Sequence, residues 1–105
     1  MGTRITRHRG DHRARVRIEG ALDLATRDRF LAEVGAALDG ADGLELDLRE
    51  LDYIDSVGLA AILEASRRAE RDTLQKARLL IAETGPVRRM LELTLLHLTL
   101  DIRVG

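Results

Sequence analysis

Two hydrophobic periods alternate along the chain, and the switches between them mark its elements. Val16, Ile18 and Gly20 alternate with Arg15, Arg17 and Glu19, the period of a half-buried strand. A weaker strand over residues Arg4 to Arg7 precedes it, with Gly10-Asp11 as the turn. Phe30, Leu31, Val34 and Leu38 then fall on one helical stripe, with Thr26 as the expected N-cap and Gly40 and Gly43 ending the run. Leu44, Leu46 and Leu48 return to strand period. From Ser56 to about Arg71 the helical period resumes through Leu59, Ile62 and Leu63, and its last turn carries the cations that a helix C-terminus favours. Ala77, Leu79 and Ile81 predict another strand. Thr84-Gly85-Pro86 opens a third helix with proline at the first helical position, where its missing N–H costs nothing, and Val87, Met90 and Leu91 face inward. Leu96, Leu98, Leu100, Ile102 and Val104 alternate with polar residues and predict a closing strand.

The predicted order is ββαβαβαβ. Strands that alternate with helices need crossover connections, which give a mostly parallel sheet. Strict alternation inside the strands puts helices chiefly on one face and leaves the other less buried. The expectation is one α/β domain over residues 1–105, with a mixed, mostly parallel sheet. A chain of 105 residues suits one such unit. Monomer is the default, although the long last strand would leave an edge open to pairing.

Composition narrows the function. Hydrophobic residues make up 45%, enough for a packed core, but aromatics make up only 2%, so that core is aliphatic. Base-stacking platforms for single-stranded nucleic acid need several aromatics and are excluded. A net charge of −1 lacks the basic excess that drives phosphate-backbone binding. The N-terminal Arg4, Arg7, Arg9, Arg13, Arg15 and Arg17 therefore read as a solvated strand face, not a nucleic-acid patch. With no cysteine there is neither a disulfide nor a thiolate zinc site. No apolar run approaches the roughly 20 residues that span a bilayer, and no apolar stretch follows the basic start as in a secretory signal. These features lead to an expectation of a cytoplasmic protein without membrane attachment.

Candidate chemistry converges on Tyr53-Ile54-Asp55-Ser56-Val57-Gly58-Leu59, the seam between strand period and helix period. A hydroxyl there stands at the positive end of a helix on a rigid support. Ser56 as an ordinary N-cap accounts for the same spacing, although Leu59 stands where a capping box would have Glu or Gln. Other chemistries are weaker. There is no Gly-x-Ser-x-Gly elbow, and no motif ties His8, His12 or His97 to Ser56, so a serine hydrolase is disfavoured. A metal pair from His8 and His12 would need a helix where Gly10-Asp11 predicts a turn. Gly40-Ala41-Asp42-Gly43 lacks the Lys-Ser/Thr of a phosphate loop. A non-enzymatic module without cofactor or metal is expected.

The phrase Asp55-Ser56-x-Gly58-Leu59 after Leu51-Asp52-Tyr53-Ile54 resembles the signature of STAS domains, most closely the bacterial anti-sigma factor antagonists. Gly20-Ala21-Leu22-Asp23-Leu24-Ala25-Thr26 is similar to the family's phrase before its first helix, and Gly85-Pro86-Val87 through Leu93-Thr94 to its late-helix phrase. The resemblance runs from about Arg15 to Leu100. It implies a regulatory switch: an anti-sigma factor with serine kinase activity phosphorylates Ser56, the unphosphorylated domain binds that factor, and a serine phosphatase resets the system. It implies further that Asp55 and Gly58 shape the acceptor loop and that Asp23, Leu24, Thr26 and Val57 share the partner surface. Val57 departs from the second hydroxyl residue often found there, and Ala21 from a common Glu. Some STAS-like domains instead serve as constitutive subunits of lipid-transport machines or signalling scaffolds, and Val57 is compatible with that reading.

Overall fold

A computed structural model describes residues 2–10 and 13–105 of the chain. Asp11 of the expected Gly10-Asp11 turn and His12 of the histidine pair lie outside the described residues.

Strands β1 (Arg4–Arg9) and β2 (Ala14–Leu22) form an antiparallel hairpin, with Ile5 opposite Ile18 and Arg9 opposite Ala14. Helix α1 (Arg27–Leu38) crosses over to β3 (Leu44–Asp47), which lies parallel to the first half of β2. A short turn leads to β4 (Leu51–Ile54), and β4 pairs with the second half of β2. Then follow α2 (Ser56–Thr73), β5 (Arg78–Ile81), α3 (Pro86–Thr94), a single 3-10 turn (Leu96–Leu98) and β6 (Asp101–Val104). The sheet runs β1-β2-β3-β5-β6, with β4 attached to β2 alone. Among the described residues, only the β1–β2 pairing is antiparallel; the other pairings are parallel. The structure thus has the expected mixed, mostly parallel α/β sheet.

Two elements depart from the predicted order. The run after Leu48 holds a separate strand, β4, so six strands replace the expected five. Its burial pattern, with only Leu51 and Ile54 buried, is too short and irregular to stand out from the preceding strand. Gly20 makes the arrangement possible: its φ of +100° places it in a region that L side chains rarely adopt, and the β2–β4 register shifts between Gly20 and Ala21. The last predicted strand is shorter than expected. Leu95, at φ 60°, caps α3 in the left-handed conformation. The N–H groups of Leu98, Thr99 and Leu100 then donate to the carbonyls of Leu95, Leu96 and Leu96. The chain closes into a 3-10 turn over Leu96–Leu98, and only Asp101–Val104 joins the sheet.

The core is aliphatic around one phenylalanine. Val16, Leu46, Leu79 and Ile102 stand in register across β2, β3, β5 and β6. They face the helices, where Phe30, Val34, Ile62, Ala65 and Leu91 meet them. The opposite face carries rows of charge. Arg15, Glu45, Arg78 and Asp101 form one cross-strand row, and Arg17, Asp47, Leu80 and Arg103 the next. This face is not uniformly open. Asp47 is 1% exposed, because β3 is flanked on both sides and Arg49 folds over it. Arg49 grips its carboxylate through Nε and Nη2, each at 3.0 Å, while the Arg49 backbone N–H adds a bond at 3.2 Å. Burial alone would raise the Asp47 pKa, but these hydrogen bonds and the Arg49 charge bring it below the ordinary value of 3.8. Among the N-terminal arginines, Arg7 pairs with Glu33 at 2.7 Å and Arg15 with Glu45 at 2.9 Å. Arg9 donates to the Asp39 carbonyl. These contacts tie the basic stretch into the domain.

Candidate functional site

Parallel pairing of β2 with β4 brings two loops to one end of the molecule. Leu22 lies opposite Ile54, so the chain after each strand, Asp23–Thr26 and Asp55–Gly58, leaves the sheet side by side. The two loops open α1 and α2, which pack against each other.

In the second loop the cap is Asp55, one residue earlier than the sequence suggests. Asp55 has extended backbone angles, and its Oδ1 accepts the Gly58 N–H at 2.9 Å. Its carbonyl takes the Leu59 N–H at 2.9 Å, the first turn of α2. Ser56 is therefore the first helical residue and not the cap. Its side chain is exposed, and its hydroxyl has no hydrogen-bond partner among the described residues. Local stability of the helix start thus rests on Asp55, and the Ser56 hydroxyl is left uncommitted.

Gly58 explains how the loops come so close. It is buried, and a Cβ there would fall inside contact distance of the Leu22 carbonyl oxygen and 2.9 Å from Ile54 Cγ1. The first turn of α2 lies directly on the end of β2. What glycine supplies here is close approach between helix and strand, a requirement that sequence spacing alone does not reveal.

The first loop is held by its own side chains. Asp23 Oδ1 accepts the N–H groups of Ala25 at 3.0 Å and Thr26 at 3.2 Å. Thr26 Oγ1 accepts the Asp23 N–H at 3.1 Å and donates to the Ala21 carbonyl at 3.0 Å. Thr26 occupies the N-cap position of α1, yet its hydroxyl makes no capping bond into the helix, because the loop uses it. With Thr26 only 8% exposed, it shapes the loop and offers little surface of its own. Leu24 does the opposite and stands 75% exposed.

The resulting surface has Ser56 beside half-buried Val57 and Asp55, with Asp23 and Leu24 on the adjoining loop. Tyr53, in β4 two residues before Asp55 and opposite Ala21, is 51% exposed. No strand alternation marks it, since Leu51, at the same parity, is buried. Among the described residues, no group of three His, Asp or Glu side chains could hold a metal ion. His8 lies in β1 and not on a helix. Among the described residues, no helix is long and apolar enough to cross a membrane.

The family model for the Mlab, STAS domain matches residues 5–99. No curated protein matches the chain. Among solved structures, an anti-sigma factor antagonist from Mycobacterium paratuberculosis is 22% identical with a TM-score of 0.84, over 96% of this chain and 85% of that one. The anti-sigma factor antagonist SpoIIAA in its unphosphorylated form is 16% identical with a TM-score of 0.74, over 97% and 88% of the two chains. The Bacillus cell fate determinant SpoIIAA in the phosphorylated form is 15% identical with a TM-score of 0.69, over 97% and 91%. At these identities the likeness is one of fold.

Proposed function

Because the chain belongs to the STAS domain family, we propose that it is an anti-sigma factor antagonist whose binding is switched by phosphorylation of Ser56. The observation that carries this reading is the division of labour at the start of α2. Asp55 caps the helix, which leaves the Ser56 hydroxyl exposed and without a structural task. The fold neighbours support the class of partner, since three-dimensional relatives include anti-sigma factor antagonists.

In this mechanism the partner kinase supplies ATP. Ser56 Oγ attacks the γ-phosphorus, its proton passes to a base of the kinase, and ADP leaves as the P–O bond to the β-phosphate breaks. The product carries about −1.5 to −2 charges at neutral pH. A helix N-terminus favours an anion by roughly 0.3–1 kcal/mol, which offsets the repulsion from Asp55 next door. The free domain therefore tolerates the modification. A partner packed on Leu24 and Val57 meets a different balance, because it must desolvate a phosphate beside a fixed carboxylate. A thousandfold loss of affinity needs only about 4 kcal/mol, which desolvation and like-charge contact can supply. A serine phosphatase restores the binding state.

The test is phosphate transfer from labelled ATP by the cognate anti-sigma kinase, with wild type and Ser56→Ala side by side. Wild type takes up label and the alanine variant does not. Equal labelling of both would remove Ser56 from the mechanism. The apolar exposure of Leu24 and Tyr53 also suits a permanent interface in a larger assembly. Stable co-purification with such subunits, with Ser56 unmodified in native protein, would establish that second reading instead.

A further inference from the structure

The two edges of the sheet differ in how they are guarded. β1 carries Arg4, Arg7, His8 and Arg9 and no acidic residue. A second β1 laid beside it would set cation near cation, the usual protection of an edge. β6, at the other edge, has no such block. Its sequence with the preceding residue is Leu100-Asp101-Ile102-Arg103-Val104: apolar, acidic, apolar, basic, apolar. That pattern is complementary to its own reverse.

We infer that β6 is a self-pairing edge through which two copies of the chain join antiparallel, centred on Ile102. A twofold axis normal to the sheet keeps helices on one face, so Ile102 must meet a residue of its own parity. Centring on Asp101 sets acid on acid, and centring on Arg103 sets base on base. Asp101 and Arg103 pair within each chain at 3.0 Å, and centring on Ile102 lays that pair against its own reverse, so that Asp101 faces the partner copy's arginine twice over on the charged face. Leu100 meets valine and isoleucine meets isoleucine on the helix face. Opposite-charge and apolar cross-strand pairs both stabilise an antiparallel ladder.

The backbone has the matching phase. The Gly105 N–H donates to the Ile81 carbonyl at 3.2 Å, so Gly105 points its polar groups towards β5. Amides alternate in direction along a strand, so Arg103 and Asp101 point inward as well. Ile102 and Val104 then point outward. The Ile102 pair at the axis becomes a hydrogen-bonded pair, and the Val104 N–H can reach the Leu100 carbonyl across the interface. The Leu100 N–H already donates to Leu96 and is not needed. Beside this edge, Ile81, Leu91, Ile102 and Val104 line a groove of about 550 Å³ between α3 and the sheet. Apolar side chains of a second β6 would extend its floor. The interface is small, so association should be weak and concentration-dependent.

Sedimentation of the 105-residue chain from roughly 10 µM to roughly 1 mM covers the range such an interface needs. Wild type shifts from monomer to dimer. Asp101→Arg or Arg103→Asp alone puts like charges opposite each other and weakens dimerisation about tenfold or more. The double variant Asp101→Arg with Arg103→Asp restores it. Because the chain has no cysteine, Ile102→Cys gives an independent reading: mild oxidation should link two copies at this position faster than at Asp52→Cys. A monomer at every concentration, single variants that associate like wild type, or equal linking at both cysteines would each overturn the inference. Ser56→Ala should dimerise normally, so the outcome is separate from that of the proposed switch.

Discussion

At the scale of single residues, Asp55, Ser56 and Gly58 divide three tasks that the sequence bundles into one phrase. Asp55 holds the helix start, Gly58 lets that start lie on the end of β2, and Ser56 is left to solvent. Gly58→Ala tests this division. The added methyl meets a strand carbonyl and not a flexible side chain, so α2 or β2 must shift. Overpacking of this kind costs about 1–3 kcal/mol, which for a domain of this size lowers the melting temperature by roughly 4–8 °C for each kcal/mol. Thermal unfolding followed by circular dichroism should show that drop, and an unchanged melting point would mean the contact is easily relieved. The hydroxyl at the seam and its glycine neighbour were legible in the sequence because their types and order are distinctive. That Asp55 and not Ser56 caps the helix was not legible, since both residue types favour that position and only the backbone geometry separates them.

Among the elements, the strands flanked on both sides explain most differences from the predicted pattern. Alternation correctly located β2 and β5, where buried positions alternate with less buried ones, although Leu80 puts an apolar residue on the charged face. It implied an open second face, but β3 is buried on both faces and carries Glu45 and Asp47 there. Such residues can be buried because Arg15 and Arg49, distant or local in sequence, neutralise them. β4 read as the end of the preceding strand and not as one of its own, because four residues hold too few repeats to establish a period. The Asp47–Arg49 pair makes a prediction about pH. The folded carboxyl has a lowered pKa, so its stabilising contribution is complete above the unfolded value near 3.8 and is lost as pH falls through the lower folded value. Arg49→Met leaves a buried carboxylate without its partner and should cost about 1–3 kcal/mol at neutral pH. The gap to wild type should narrow as pH falls, because the partnerless Asp47 of the variant takes up a proton first and the wild-type carboxyl only below its lowered value. Urea unfolding at pH 7 and pH 3 measures the difference, and a gap independent of pH would assign the loss to packing alone.

For the whole molecule, the sheet works as a platform with its charged face and its binding end set apart. The Ser56 surface lies beyond the β2 and β4 ends, while the self-pairing edge lies at β6. Ser56→Asp is therefore expected to weaken binding of the anti-sigma partner, read by calorimetric titration, while the melting temperature stays within a few degrees of wild type. Loss of binding together with loss of fold would instead mean that the loop supports the core. The register shift at Gly20 and Ala21 gives this expectation its mechanical basis. β2 changes neighbours there, serving β3 before the bulge and β4 after it. The strand that delivers Ser56 is thus hinged to one neighbour only, outside the run that links β1 to β6. The ladder pairing of β4 is confined to three residues of β2, and a further backbone link runs from the Leu51 N–H to the Leu48 carbonyl, whose residue donates in turn to Leu80 of β5. Under the proposed mechanism the phosphate sits at the end of a short strand with few ladder bonds, so its message is written on the surface and read there by whatever docks.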